Sequence, residues 1–109
     1  MTRFTETLTR LQATIEARRG ADAASSYTAK LLAGGAPLAA KKFGEEAIET
    51  ALAAVQSDPD AVAAESADLI YHWLVLLTAC GVSLDAVAEK LETREGRSGI
   101  EEKAARPKA

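Results

Sequence analysis

The sequence predicts an all-α fold: a helical bundle of four main helices plus one short helix, completed by homodimerisation. Three observations carry that expectation. Alanine is abundant while aromatics make up only 5% of the 109 residues, a composition that suits helices better than β-sandwiches. Apolar residues recur at spacings of three and four, the period of one helix face. Glycine, proline, serine and aspartate stand where those faces end, and no stretch alternates convincingly as a strand does.

Phe4, Leu8, Leu11 and Ile15 form the first apolar stripe and predict a helix from about Thr5 to Arg18, broken by RRGAD. Ser25 or Ser26 can cap a short helix through SYTAKLLA, which Gly34 and Gly35 end. Pro37 suits the first turn of the next helix, expected to reach about Gln56 with Ile48, Leu52 and Val55 as its core stripe. Asp58 is a plausible cap and Pro59 the first position of a third main helix, which continues to Ala79 or Cys80 until Gly81 stops it. Ser83 caps a fourth, LDAVAEKLETRE, with Leu84, Val87, Ala88 and Leu91 on one face. Beyond Gly96 the chain is charged and contains glycine. Residues 1–96 therefore read as one domain and 97–109 as a basic tail.

From Leu69 to Cys80 the third main helix is apolar nearly all round. Such a helix needs neighbours on every side, more than three moderate helices supply, which is the reason to expect a homodimer. Cys80, the single cysteine, excludes an intrachain disulfide and reads as a small buried hydrophobe. The net charge of −3 offers no reason to expect nucleic-acid binding. The most apolar run, LIYHWLVLLTAC, falls short of the ~20 residues that span a bilayer, and the N-terminus lacks a signal-peptide core. A cytoplasmic protein without membrane partners is the expectation.

The informative feature is acidic. On a helix turning ~100° per residue, Glu45 and Glu49 lie ~40° apart and Glu46 ~60° beyond Glu49. The stripe of Ile48 and Leu52 borders Glu45 directly, so these carboxylates are expected at the edge of the core. Glu65, Asp68 and His72 share a ~60° arc of the following helix that continues into Val75 and Leu76. Taken singly, each pair can be a solvated face. Taken together on antiparallel neighbours they would repel one another unless a divalent ion lay among them, and oxygen ligands suit Mg²⁺ or Mn²⁺. His72, in an apolar run, reads as a core residue donating to a carbonyl or to Asp68.

The motif Glu45-Glu46-x-x-Glu49 followed by Glu65-x-x-Asp68 resembles the metal motif of the MazG-like all-α nucleotide pyrophosphohydrolases. SYTAKLLAGG, AKKFGEEAIETALAA, ESADLIYHWLVLL and SGIEEKAAR narrow the resemblance to the phosphoribosyl-ATP pyrophosphatase family, over roughly Leu8 to Arg106. The resemblance implies a helical dimer that uses Mg²⁺ to cleave phosphoribosyl-ATP into phosphoribosyl-AMP and pyrophosphate, in histidine biosynthesis. It implies Glu46, Glu49, Glu65 and Asp68 as metal ligands, with Glu45 as an outer group or the base that orients water. Phe43 departs from the smaller aliphatic residue usual in the family, which alters packing before the motif and leaves the acids intact.

A triphosphate also needs cations beyond the metal. Lys30, Lys42, Arg94 and Arg97 are the candidates for phosphate contact, and Tyr27 for packing against adenine, although each basic residue alone can be solvated surface. Glu45 and Glu49 are the candidate bases for the attacking water. Two other readings stay open from the residues: a house-cleaning enzyme acting on free nucleoside triphosphates, and a non-enzymatic helical interaction domain.

Overall fold

The computed structural model describes residues 2–95; the basic tail expected over 97–109, Arg97 included, lies outside the described residues. Five helices and no strand make up the described chain: α1 (Thr2–Ala17), α2 (Tyr27–Ala33), α3 (Gly35–Val55), α4 (Pro59–Cys80) and α5 (Leu84–Glu92). The all-α class and the element order follow the sequence.

The expected caps form. The Ser26 hydroxyl accepts from Ala29 N–H, the Asp58 carboxylate from Ala61 N–H and the Ser83 hydroxyl from Ala86 N–H. Each satisfies an amide that the first turn leaves without a partner. Gly81 ends α4 at φ 70°, a left-handed conformation that costs glycine little. α3 and α4 form an antiparallel hairpin across a turn at Gln56 and Ser57, and Ser57 holds φ 57°.

The core is the cluster of Ile15, Leu31, Ala39, Leu74 and Val75, where α1, α2 and α3 meet the second half of α4. Arg19 fastens the end of α1 to that half: its guanidinium donates to the Thr78 carbonyl at 2.6 Å. That carbonyl, in the last turn of α4, also accepts from Gly81 N–H at 3.2 Å, so Arg19 adds a second donor to a helix end.

Two expectations fail within the protomer. Ile48, Leu52 and Val55 are not core but 64%, 54% and 80% exposed. The buried line of α3 is instead Ala39 and Ala53, with half-buried Glu46 between them. Positions seven apart lie ~20° apart on the wheel, and Ile48 and Val55 fall nearly opposite that line. Cys80 is exposed, because it is the last residue of α4 and lies beyond the helices that cover Leu74 and Val75. On the α5 stripe Leu84 packs half-buried against the core, while Leu91 at its far end is 60% exposed. Phe4 is exposed too, so the α1 stripe tightens only toward fully buried Ile15.

Ser57 carries a conformation that L-residues with a Cβ adopt at a cost. Ser57→Gly is expected to raise stability by up to ~1 kcal/mol, seen as a higher urea midpoint at unchanged slope. An unaltered or lower midpoint would show that the turn stores no strain.

Candidate functional site

The hairpin register brings the acids together. Glu49 and Glu65 each lie eight residues from Ser57, so an antiparallel pair sets them at the same height. Glu46 is on the buried line of α3, half a wheel away from Ile48 and Val55. As a result one carboxylate oxygen from each of Glu46, Glu49 and Glu65 lies within 4.8 Å of the other two. Glu46 and Glu65 are half-buried, while Glu49 is exposed at the rim.

Electrostatics mark the cluster as unbalanced. Burial pushes the Glu46 carboxyl up first, followed by a hydrogen bond shared with Glu49 and the Glu49 charge; the nearby His72 opposes the rise and Asp68 adds to it. Glu65 is also raised, by burial first, then by the charge of Glu49, a hydrogen bond with it, and Asp68. One oxygen on each, Glu46 Oε2 and Glu65 Oε2, is shielded from water and has no hydrogen-bond partner. Buried carboxylate oxygens facing only other carboxylates either take up protons or bind a cation. The donor set is all oxygen, which fits Mg²⁺ or Mn²⁺ better than softer metals.

Asp68 is exposed and not part of the close triple, although its charge reaches Glu46 and Glu65. Glu45 is outside the close triple and pairs with Lys42 at 3.3 Å, both groups partly exposed. Lys42 is thus engaged one turn from the triple. Lys30 and Tyr27 share a shallow depression with Ser25 and Ser26, beside the start of α2. Arg94 is exposed in the turn after α5, and no described contact joins it to the acids.

His72 is a buried hub. Its Nδ1 lies 2.9 Å from the Asp68 carbonyl, which only accepts, so Nδ1 carries the proton. In the neutral ring Nε2 then accepts from the Tyr27 hydroxyl, at 3.3 Å. This is the carbonyl contact that an apolar run around a histidine predicts. Next to it the hydroxyls of Thr28 and Tyr71 bond to each other. Periodicity did not single out Thr28 or Tyr71. The one signal for them was polar pairs, Tyr27-Thr28 and Tyr71-His72, in otherwise apolar helices.

Comparison with known proteins follows the same lines. The family model described as "Phosphoribosyl-ATP pyrophosphohydrolase" matches residues 8–95. A phosphoribosyl-ATP pyrophosphatase of Caulobacter vibrioides is 69% identical over 104 residues, covering 95% of this chain and 96% of its own. One from Caulobacter sp. (strain K31) is 66% identical over 107 residues, covering 98% and 99%. One from Parvibaculum lavamentivorans is 61% identical over 99 residues, covering 91% of each.

The raised carboxyls give a pH-dependent signature. With metal removed, the native state holds protons on Glu46 and Glu65 above the ordinary value of 4.5, where the unfolded chain has released them. Their contribution to stability therefore falls as pH rises from about 4.5 through the raised values. Glu46→Gln removes one of these penalties, so in chelator its melting temperature should gain on the wild type progressively from pH 4.5 to 7. A constant difference across that range would mean that the triple is solvated like ordinary surface.

Proposed function

The chain belongs to the phosphoribosyl-ATP pyrophosphohydrolase family and is a hydrolase, and on that premise we propose that it cleaves phosphoribosyl-ATP to phosphoribosyl-AMP and pyrophosphate, in a Mg²⁺-dependent step of histidine biosynthesis. The observation that carries the proposal is the close triple of Glu46, Glu49 and Glu65, with its two water-shielded, unpartnered oxygens.

Glu46, Glu49, Glu65 and Asp68 would hold the metal, Mg²⁺ or in its place Mn²⁺. When bound, that ion offsets phosphate charge and lowers the pKa of a coordinated water. Glu49, or Glu45 beside it, accepts the proton of the attacking water. Water adds across the anhydride between the α- and β-phosphates, and pyrophosphate leaves. Lys30, Lys42, Arg94 and Arg97 offset the remaining phosphate charge, and Tyr27 packs against the adenine. For Lys42 this requires exchanging its exposed Glu45 partner for a phosphate oxygen, a small sacrifice since exposed ion pairs contribute ~0–1 kcal/mol.

The working form we propose is a homodimer. Ile48, Leu52 and Val55 line one exposed face of α3, and Leu69, Ile70, Trp73 and Leu76 of α4 are only half-covered. A second copy is the natural cover for aliphatic surface of that extent. Among the described residues no single helix is long and apolar enough to cross a membrane. The proposal also includes a cytoplasmic location and a small-molecule substrate, with no nucleic-acid or membrane partner.

Two measurements test these proposals. Pyrophosphate release in Mg²⁺ should be faster from phosphoribosyl-ATP than from ATP or dCTP at equal concentration, and Glu49→Gln should abolish it with the fold intact. Equal rates on the three nucleotides would point to a house-cleaning enzyme, and an unchanged rate in Glu49→Gln would remove the metal site. Sedimentation at micromolar concentration should give a dimer, and Leu52→Glu a monomer. A monomeric wild type would end the dimer proposal.

A further inference from the structure

We propose that His72 is a positioning residue of the substrate site: its buried imidazole fixes the half-exposed Tyr27 ring as a platform for the flat base of the nucleotide. The proposal rests on the function just given and adds to it a residue outside the acidic motif.

The first argument is asymmetry. His72 is 8% exposed and Tyr27 53%. An exposed tyrosine hydroxyl finds water readily, so tying it to a buried ring mainly removes freedom from the exposed partner. What becomes ordered is an aromatic surface facing solvent. Binding to a rigid aromatic face avoids the entropy of ordering it later.

The second is redundancy in attachment. α2 is already held by fully packed Leu31 and by Ala29, and the neighbouring Thr28–Tyr71 contact joins it to α4. The Tyr27–His72 bond is therefore not what keeps α2 in place. It sets the direction of one side chain.

The third is the way the imidazole is defined. The Asp68 carbonyl holds the Nδ1 proton, which leaves Nε2 as the acceptor for Tyr27. The Tyr71 ring meets His72 edge-on with centroids 4.9 Å apart, and Tyr27 meets it edge-on at 6.2 Å. Bond and ring contacts together allow one orientation. Because the bonded carbonyl belongs to Asp68, the same ring couples the Tyr27 platform to the turn of α4 that carries the acids. Lys30 lies in the same depression as Tyr27, which sets a cation beside the platform.

The chain has one histidine, which makes the test direct. Nitrogen-15 NMR of the tag-free protein should show a protonated Nδ1 and an acceptor Nε2, and Tyr27→Phe should shift the Nε2 signal. Kinetically, His72→Phe and Tyr27→Phe should each raise KM for phosphoribosyl-ATP about tenfold, with kcat within about twofold. The double variant should be no worse than either single one. His72→Gln, which keeps an acceptor, should recover part of the loss. Tyr27→Phe changes an exposed position and keeps the protein folded if His72→Phe does not. An Nε2-protonated ring, unchanged KM in Tyr27→Phe, or additive losses in the double variant would overturn the proposal. A wild type inactive on phosphoribosyl-ATP would overturn the functional reading and this proposal together, whereas activity with unmoved KM overturns the positioning role alone.

Discussion

Three carboxylates held within 4.8 Å of one another are the constraint around which the rest of the molecule is arranged. Like charges at that distance repel strongly where water is scarce, so the fold must hold them together with other contacts. The α3–α4 hairpin does so. Its short turn fixes which positions meet, and the small side chains of Ala39 and Ala53 let the two helices approach on the line that carries Glu46. The hydrophobic energy comes from the other end of the hairpin, where Leu74 and Val75 pack with Ile15 and Leu31. Stability and the charge cluster are thus separated along one helix pair.

That separation has a geometric consequence. Turning Glu46 inward turns Ile48 and Val55 outward, because they lie nearly opposite on the wheel. A helix that gives its inner face to acids and alanines has nowhere to place its large aliphatic residues except its outer one. The exposed stripe of α3 is the counterpart of the acidic site. In the proposed dimer both faces would be occupied, one by cation and substrate, the other by a second copy.

Much of this was legible in the sequence and some was not. Helix number, order and caps followed from Ser26, Asp58, Gly81 and Ser83, whose local chemistry does not depend on packing. The meeting of Glu46, Glu49 and Glu65 followed from spacing about the α3–α4 turn. The rotation of α3 did not. Periodicity finds an apolar stripe but does not say which of two opposite faces looks inward, and Ile48 and Leu52 outweigh alanine in any such reading. Cys80 was misjudged for a related reason: a residue at the end of an apolar run shares its composition but not its neighbours. The bond between Tyr27 and His72 joins residues 45 apart in sequence, and only the tertiary fold reveals it.

The same geometry answers why α3 crowds three glutamates into five positions. Glu46, on the buried line, keeps one oxygen shielded from water and is raised by burial. Glu49, ~60° around, reaches the same cluster yet stays exposed at the rim. Glu45 lies a further ~40° out and is engaged by Lys42. One turn of helix therefore presents one half-buried carboxylate and two exposed ones, the latter differing in partner. The innermost suits a ligand that must shed its water, and the outermost is best placed to exchange partners as phosphates arrive. Glu49, touching both the cluster and solvent, is the group with access to a water molecule and to the charge that would activate it. Moving any of the three by one position would rotate it ~100° and exchange its environment for another, so in this site the spacing of the acids matters as much as their number.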